Sequence, residues 1–230
     1  MAKYVLKFSK EGFFKYTSHL DLLRFYKRSF KRLGIKLAYS QGFNPHPKMG
    51  FAQPLSLGYS SIAEYLEFET QEQIPATDIR EKLVAIMPEG LKIQDCVEYT
   101  REGKTLAGQT VAADYVIAIP LNKDCGDITK LDANKLCHDF MAQEQIVAKK
   151  RQKKTKEFVD VDFKDKIRKV ELAFAGPQLI ISTSLDAGSD SNASPELLIE
   201  ALLKFTGWNI ERYDIEVMRK KIYFANGFEM

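Results

Sequence analysis

Two kinds of hydrophobic spacing divide the first hundred residues into two similar sets of elements. Alternating apolar positions predict strands, and apolar positions recurring every three or four residues predict helices. Gly34 is placed to end the first helix, and Thr77 to cap the second. The strands are predicted at 3–8, 35–39, 63–69 and 91–99, and the helices at 18–33 and 77–87. This β-α-β, loop, β-α-β order is typical of a ferredoxin-like domain.

The second half of the chain repeats the same order of elements. A polar, glycine-containing stretch at 101–110 indicates a domain boundary. Strands are predicted at 114–119, 145–150, 167–175, 178–185 and 209–217, with an extra strand near 158–162, and helices at 131–141 and 195–205. We therefore predict an α+β fold of two tandem ferredoxin-like (βαββαβ) halves, in which antiparallel sheets carry helices on one face. The predicted domains are residues 1–105 and 111–230.

A long connection, residues 40–61, carries three prolines and three glycines. Connections of this length within a compact domain are usually binding loops or disordered segments. Pro45 and Pro47 restrict the backbone around His46, which favours an ordered loop. In this loop Phe43 and Phe51 are candidates for stacking on bases, and Lys48 is a candidate for contacting an anion. His46 is a further candidate for contacting a base. The alternative is a loop that packs back on its own domain, with both phenylalanines as plugs.

One helix face and one later run are strongly basic. Projection at about 100° per residue places the five cations of the first helix opposite its apolar residues. These cations are Arg24, Lys27, Arg28, Lys31 and Arg32. The segment 149–156 has six cations in eight residues, of which Lys149, Lys150, Arg151, Lys153 and Lys154 are candidate contacts. Both stretches could bind phosphates, and the alternative for both is an ordinary solvated surface.

Three segments resemble a known family. They are FFKYTSHLDLLR at 13–24, YSQGFNPHP at 39–47 and FAQPLSLG at 51–58. Together they resemble the radical-SAM-linked domain of unknown function, whose members occur alone or at the C-terminus of B12-binding radical-SAM proteins. The motifs cover about the first 100 residues. The resemblance implies association with radical-SAM chemistry and RNA metabolism, in trans for this chain, because its three cysteines cannot form the closely spaced triplet of such a cluster.

Four residues are candidates for catalysis, namely Tyr16, His19, His46 and Lys48. His19 falls on the apolar arc of the first helix, and its place in the first turn predicts a lowered pKa through the helix dipole. A neutral His beside a Lys or Tyr is sufficient for metal-independent RNA cleavage. The alternative for His19 is a structural residue that clamps the long loop. We predict no metal and no cofactor, since Cys125, Cys137 and His138 lack paired ligand spacing.

Composition sets broad limits on the function. The chain has 230 residues and a formal net charge of +3, from 34 basic and 31 acidic residues, so attraction to nucleic acid requires local clusters. An odd number of cysteines, three, favours free thiols in a reducing compartment. No apolar run approaches the length of a membrane-spanning helix, and the N-terminus lacks a secretion signal. We expect a cytoplasmic protein that does not associate with membranes.

The combined hypothesis is an RNA-binding accessory module that presents tRNA or rRNA to a radical-SAM modifying enzyme and is not an enzyme on its own. A metal-independent endoribonuclease using His19 or His46 is the second hypothesis. The third is a protein-interaction domain that docks a radical-SAM partner. The sequence leaves the oligomeric state open.

Overall fold

A computed structural model describes residues 1–100, 103–122, 125–126, 132–152 and 157–230. The fold is α+β, with mostly antiparallel β-sheet and helices. The chain divides into two compact units: Met1–Thr110 with Lys221–Met230, and Val111–Lys220. Residues 221–230, which were predicted to lie in the second domain, thus belong to the first unit, because Phe224 and Phe228 pack on Tyr65.

The first unit follows the predicted order of strands and helices. Its elements are β1 (Ala2–Lys10), a 3-10 helix (Gly12–Tyr16), α1 (His19–Arg32), β2 (Met49–Phe51), β3 (Ser60–Thr70), α2 (Ala76–Val84), β4 (Ile93–Glu98) and α3 (Leu106–Gln109). The strands β4, β1 and β3 are adjacent in that order, and β2 pairs with β3. All these pairings are antiparallel.

The core of the first unit lies where α1 covers the sheet. Tyr26 and Phe30 on α1 are fully buried, as are Phe8 on β1 and Phe68 on β3. The ring of Phe30 lies 4.6 Å from that of Phe68, and the ring of Phe8 lies 5.1 Å from that of Tyr26. The apolar arc of the helix therefore faces the sheet, which leaves the opposite, basic face in solvent.

The second unit also combines antiparallel strands with helices. Its elements are β5 (Thr110–Pro120), α4 (Ala133–Ala142), β6 (Val147–Arg151), β7 (Phe158–Asp162), β8 (Ile167–Ala175), β9 (Gln178–Asp186), α5 (Pro195–Thr206) and β10 (Glu216–Phe224), which continues into the first unit. The strand β9 pairs with β5 on one side and β8 on the other. The strands β6 and β7 form a separate two-stranded sheet.

Three sequence predictions of local structure were wrong. Residues 35–39 form no strand: Leu37 bridges to Thr70 and Tyr39 to Pro47, because the edge of β3 is shared with β2. The strand predicted at 209–217 lies instead at Glu216–Phe224, because a 3-10 turn at Arg212–Asp214 delays it. Thr77 does not cap α2, whose N-cap residue is Pro75.

The ordered loop predicted at 40–61 is held by backbone hydrogen bonds at both ends. The amide of Ser40 donates to the carbonyl of His46, and the amide of Lys48 donates to the carbonyl of Ala38. Further along, the amide of Gly58 donates to the carbonyl of Lys15. No helix in the described part of the chain is long and apolar enough to cross a membrane.

Candidate anion-binding pocket

A cavity of about 530 Å³ lies beside the second half of α1. Its polar lining comes from the basic face of the helix and from the segment that follows it. These lining residues are Lys27, Arg28, Lys31, Lys36, Tyr39 and Gln71. We call this cavity the basic pocket. It gathers four cations and one aromatic ring, which is a composition suited to an anion that also carries a flat group.

The segment after α1 buries its apolar side chains and contributes Lys36 and Tyr39 to the basic pocket. Ile35 and Leu37 are buried in the core, while Lys36 and Tyr39 are exposed. Gln71 holds this segment in place, because its amide donates to the carbonyl of Lys36 and its side-chain Nε2 donates to the carbonyl of Leu37. The pocket wall is therefore fixed by hydrogen bonds from Gln71, directly after β3, and not by the lysine side chains.

The positive charge of the basic pocket is largely uncompensated. Lys36 pairs with Glu72 at 3.3 Å, and the Nζ of Lys27 lies 5.8 Å from the centre of the Tyr39 ring. Within the described ranges, Lys27, Arg28 and Lys31 form no ion pair with a carboxylate. Because like charges three and four residues apart on a helix repel one another, a bound anion would relieve this repulsion.

The two remaining cations of the predicted basic face lie outside the basic pocket. Arg24 is one turn nearer the start of α1 and pairs with Asp21 at 3.1 Å. Arg32 is exposed in the last turn, where its charge interacts favourably with the negative end of the helix dipole. Among the described residues, three cations of the predicted basic face thus line the pocket without forming an ion pair, while Arg24 and Arg32 lie outside it.

Phe43 stands at the tip of a loop that begins at the basic pocket. Tyr39 bridges to Pro47, which closes the base of this loop. The amide of His46 donates to the Oγ of Ser40 at 3.0 Å, so the returning strand of the loop is also held. Phe43 and His46 are both exposed. An exposed aromatic ring on a restrained loop can stack on a base without a large cost in ordering the loop.

Lys48 and Phe51 occupy different positions from Phe43. The Nζ of Lys48 pairs with Glu69 at 2.8 Å, and both residues line a second cavity of about 360 Å³ beside β2. Phe51 is 7% exposed, and its ring packs on Phe8 and on His19. Phe51 is therefore packed in the core, as the packing alternative for the loop proposed, and it also lines this second cavity.

The candidate catalytic residues lie near the start of α1 and in the long loop. His19 lies at the start of α1 with its ring 5.2 Å from that of Phe51. Tyr16 is exposed beneath the Nζ of Lys15, at 5.3 Å from its ring centre. In the part of the chain that the structure describes, no hydrogen bond or ring contact joins His19 to Tyr16, His46 or Lys48.

The environment of His19 lowers its pKa, in the direction that the sequence predicted. The larger cause is desolvation by burial, and the second is the positive charge of Lys10. Lys10 is buried, and its Nζ donates to the carbonyl of Thr17 at 2.9 Å. Nearby, burial and the charge of Glu64 raise the pKa of Tyr26 well above its usual value. Sequence reasoning missed these buried polar groups, which lie inside an otherwise apolar core.

The lowered pKa of His19 predicts how stability depends on pH. The ordinary value is 6.5, and the folded state binds this proton less tightly than the unfolded chain does. The stabilisation from neutral His19 is therefore present above about pH 6.5 and is lost as pH falls below it. We expect His19→Gln to reduce the drop in urea midpoint between about pH 7 and about pH 5.5. An equal drop in the variant and the original protein would contradict this assignment.

The second basic run lies on the β6–β7 hairpin. Lys149, Lys150 and Arg151 are exposed on β6. Lys149 lies opposite Asp160 on β7, so acidic residues accompany part of this charge. Lys153 and Lys154 lie outside the described residues. The hairpin thus presents a mixed surface, in contrast to the uncompensated cations of the basic pocket.

The cysteines are free thiols and do not gather with other ligands. Burial raises the pKa of Cys96 to about 12, and burial also raises the pKa of Cys137. Both thiols are therefore poor nucleophiles. Among the residues that the structure describes, no group of three or more His, Cys, Asp or Glu side chains could hold a metal ion.

Sequence reasoning missed half of the polar lining of the basic pocket. Lys36, Tyr39 and Gln71 were not candidates. The alternation of residues 35–37 was an available signal for Lys36, since it separates this residue from the buried Ile35 and Leu37, but continued alternation would have placed Tyr39 on the buried face. The sequence pattern does not show that this segment packs beside α1, because that position depends on tertiary packing.

Comparison with known proteins gives a family and a similarity of fold. The chain is similar to one chain of the crystal structure of a Cbf5-Nop10-Gar1 complex, with 12% identity and a TM-score of 0.52; the match covers 95% of this chain and 48%, about half, of that chain. A chain of an unknown protein from Galdieria sulphuraria is 9% identical, with a TM-score of 0.27 and coverage of 95% and 96%. No curated protein matches the sequence. The model of DUF2344, an uncharacterized protein conserved in bacteria, matches residues 3–195, and the chain therefore belongs to this family.

Proposed function

We propose that this protein binds RNA through the basic pocket and its neighbouring loop. The observation that supports the proposal is the set of three cations, Lys27, Arg28 and Lys31, that line one cavity without carboxylate partners in the described residues. Phosphates would replace the missing counter-charges and release bound ions, which gives salt-sensitive affinity. Tyr39 in the pocket and Phe43 on the loop would stack on bases.

Several cations around the basic pocket would extend the contact with the RNA backbone. Arg24 and Arg32 continue the basic face beyond both ends of the pocket. Lys36 would exchange Glu72 for a phosphate at little cost, because surface ion pairs contribute about 1 kcal/mol or less. On the second unit, Lys149, Lys150 and Arg151 would add a weaker contact, since acidic residues lie on the paired strand.

The experiment that tests this proposal is fluorescence anisotropy with labelled cellular tRNA and short single strands. Binding would be measured at about 50 and about 200 mM salt, where several phosphate contacts produce a steep decrease in affinity. Strong binding at low salt with a steep salt dependence is the expected result. The absence of binding at low salt would overturn the proposal and leave the docking of a protein partner as the function to test.

The role of an accessory module rests on the family resemblance of the three sequence segments. We propose that the protein acts in the cytoplasm and presents tRNA or rRNA to a radical-SAM modifying enzyme, which supplies the chemistry in trans. The cations of the basic pocket support a binding role, and no hydrogen bond within the described residues joins His19 to another candidate catalytic residue. Incubation with RNA without added metal is therefore expected to leave the RNA intact, and cleavage that His19→Ala abolishes would favour the endoribonuclease.

We also propose that each unit is a ferredoxin-like half. The strands β4, β1 and β3 are adjacent in that order and β2 also pairs with β3, as in the order 4-1-3-2 of that fold, although the sheet continues from β3 to β10. In the second unit β8, β9 and β5 continue to β10 in the same order, with the β6–β7 hairpin inserted after α4. Both units have a helix after their first and third strands, as the βαββαβ arrangement requires.

A further inference from the structure

Four large apolar side chains are exposed near the start of α1. Phe13 is 93% exposed, Tyr16 and Leu20 are each 63% exposed, and Leu57 is 64% exposed. Isolated exposed apolar residues are common on protein surfaces, but several within one short region indicate a binding surface. We call these four residues the aromatic platform.

The backbone places the members of the aromatic platform on neighbouring elements. Phe13 and Tyr16 lie three residues apart in the 3-10 helix Gly12–Tyr16, where side chains with this spacing point in the same direction. Leu20 follows in the first turn of α1. The hydrogen bond from the amide of Gly58 to the carbonyl of Lys15 holds the segment of Leu57 against the 3-10 helix.

The 3-10 helix that carries the platform is fixed from behind. Phe14 turns inward and packs on Phe25, with ring centres 6.2 Å apart. Gly90 contacts the other side: the amide of Glu11 donates to the carbonyl of Gly90, and a Cβ at Gly90 would lie 2.7 Å from the carbonyl oxygen of Glu11. The exposed rings therefore stand on a rigid base, which lowers the entropic cost of binding a ligand.

The aromatic platform is continuous with the basic face of α1. Leu20, Arg24, Lys27 and Lys31 follow one another at intervals of four, three and four residues, so they lie along one side of the helix. At 1.5 Å per residue the line from Leu20 to Lys31 is about 17 Å long. Apolar contacts thus lie at one end of this line and uncompensated cations at the other.

We propose that the aromatic platform binds unpaired bases of a single-stranded RNA segment whose phosphates follow α1 into the basic pocket. This inference rests on the proposed function and adds the class of RNA. Charge complementarity favours RNA as the partner, because Lys15 flanks the platform and the line along α1 passes the Arg24–Asp21 pair and leads to the cations of the basic pocket. Stacking on exposed aromatic rings requires bases that are free of a duplex.

The test compares a labelled single strand of about 12 nucleotides with the same sequence in a duplex. The double variant Phe13→Ala with Tyr16→Ala should lose at least about 10-fold in affinity for the single strand, because each stacked base contributes strongly. Its salt slope should stay unchanged, since no phosphate contact is removed. Binding to the duplex should also stay unchanged.

Two further variants sharpen the comparison. Tyr16→Phe keeps the ring and should keep single-strand affinity, which distinguishes stacking from a role of the hydroxyl group. Tyr213→Ala removes an aromatic side chain that is 82% exposed in the second unit and serves as the matched control. Because all these side chains are exposed, the variants should unfold at the urea concentration of the original protein.

The possible failures are distinguishable. If the original protein binds the single strand and the double variant binds it equally well, the aromatic platform does not bind the bases, while the proposed function stands. Equal losses on single strand and duplex would also overturn the platform, because stacking on unpaired bases cannot explain them. If the original protein binds neither RNA at about 50 mM salt, the proposed function fails and the platform with it.

Discussion

Replacing Lys27, Arg28 and Lys31 together with Gln is expected to reduce the salt slope of RNA binding by about 2. Each phosphate contact with a single strand contributes about 0.7 to the slope of log affinity against log salt. The loss of three such contacts changes the effect of a fourfold change in salt on the affinity by a factor of about 20. Between about 50 and about 200 mM salt, the original protein should therefore lose about 20-fold more affinity than the variant does.

The triple variant should lose binding without losing stability. None of the three cations forms an ion pair with a carboxylate in the described part of the chain, and all three side chains are exposed. Neutralising them removes repulsion between charges on successive turns of α1, which is worth a few tenths of a kcal/mol per pair, about 0.2 to 0.5. Lys31 also loses a favourable interaction with the negative end of the helix dipole, so the two effects oppose each other and urea unfolding should be nearly unchanged.

A matched control carries the same change in net charge at a different place. Arg80, Lys82 and Lys92 are exposed cations of the same unit that do not line the basic pocket. Replacing these three with Gln should change the salt slope much less than the pocket variant does. Equal changes in the salt slope of the two triple variants would show that total charge governs binding. This result would contradict a specific role of the basic pocket.

The basic half of the site could be predicted from sequence because it depends on one helix. The 3.6-residue period separates the cations of α1 from Tyr26 and Phe30, and the buried apolar arc confirms that separation. The other half of the pocket depends on how residues 35–39 pass between α1 and β3. A local pattern gives which side chains alternate, but not the element against which they pack.

The order of elements was also predictable, while the pairing at the edge of β3 was not. Alternation in residues 35–39 favoured a strand, yet this segment and β2 divide the edge of β3 between them. Strand pairing depends on which segment reaches the edge in three dimensions, and propensity does not determine that. For the same reason the chain end at 221–230 joined the first unit, through Phe224 and Phe228.

The largest stability effect is expected at Phe51, and the contrast with Phe43 tests how the loop is used. Both are aromatic residues in the same stretch of prolines and glycines, so sequence alone gave them the same role. Phe51→Ala should lower the free energy of unfolding by about 3–5 kcal/mol, because it removes a buried ring and leaves a cavity beside Phe8 and His19. Urea unfolding followed by circular dichroism measures this loss.

Phe43→Ala should weaken RNA binding and leave the free energy of unfolding nearly unchanged. Its side chain is fully exposed, so the free energy of unfolding should change by less than about 0.5 kcal/mol. Affinity for single-stranded RNA should fall about 10-fold, because a stacked base is lost.

Phe51→Leu is the control for packing at Phe51. It restores part of the volume that Phe51→Ala removes, so its loss of stability should be smaller than that of Phe51→Ala. A stable Phe51→Ala variant with weakened RNA binding would instead mean that the Phe51 ring leaves the core to contact the ligand.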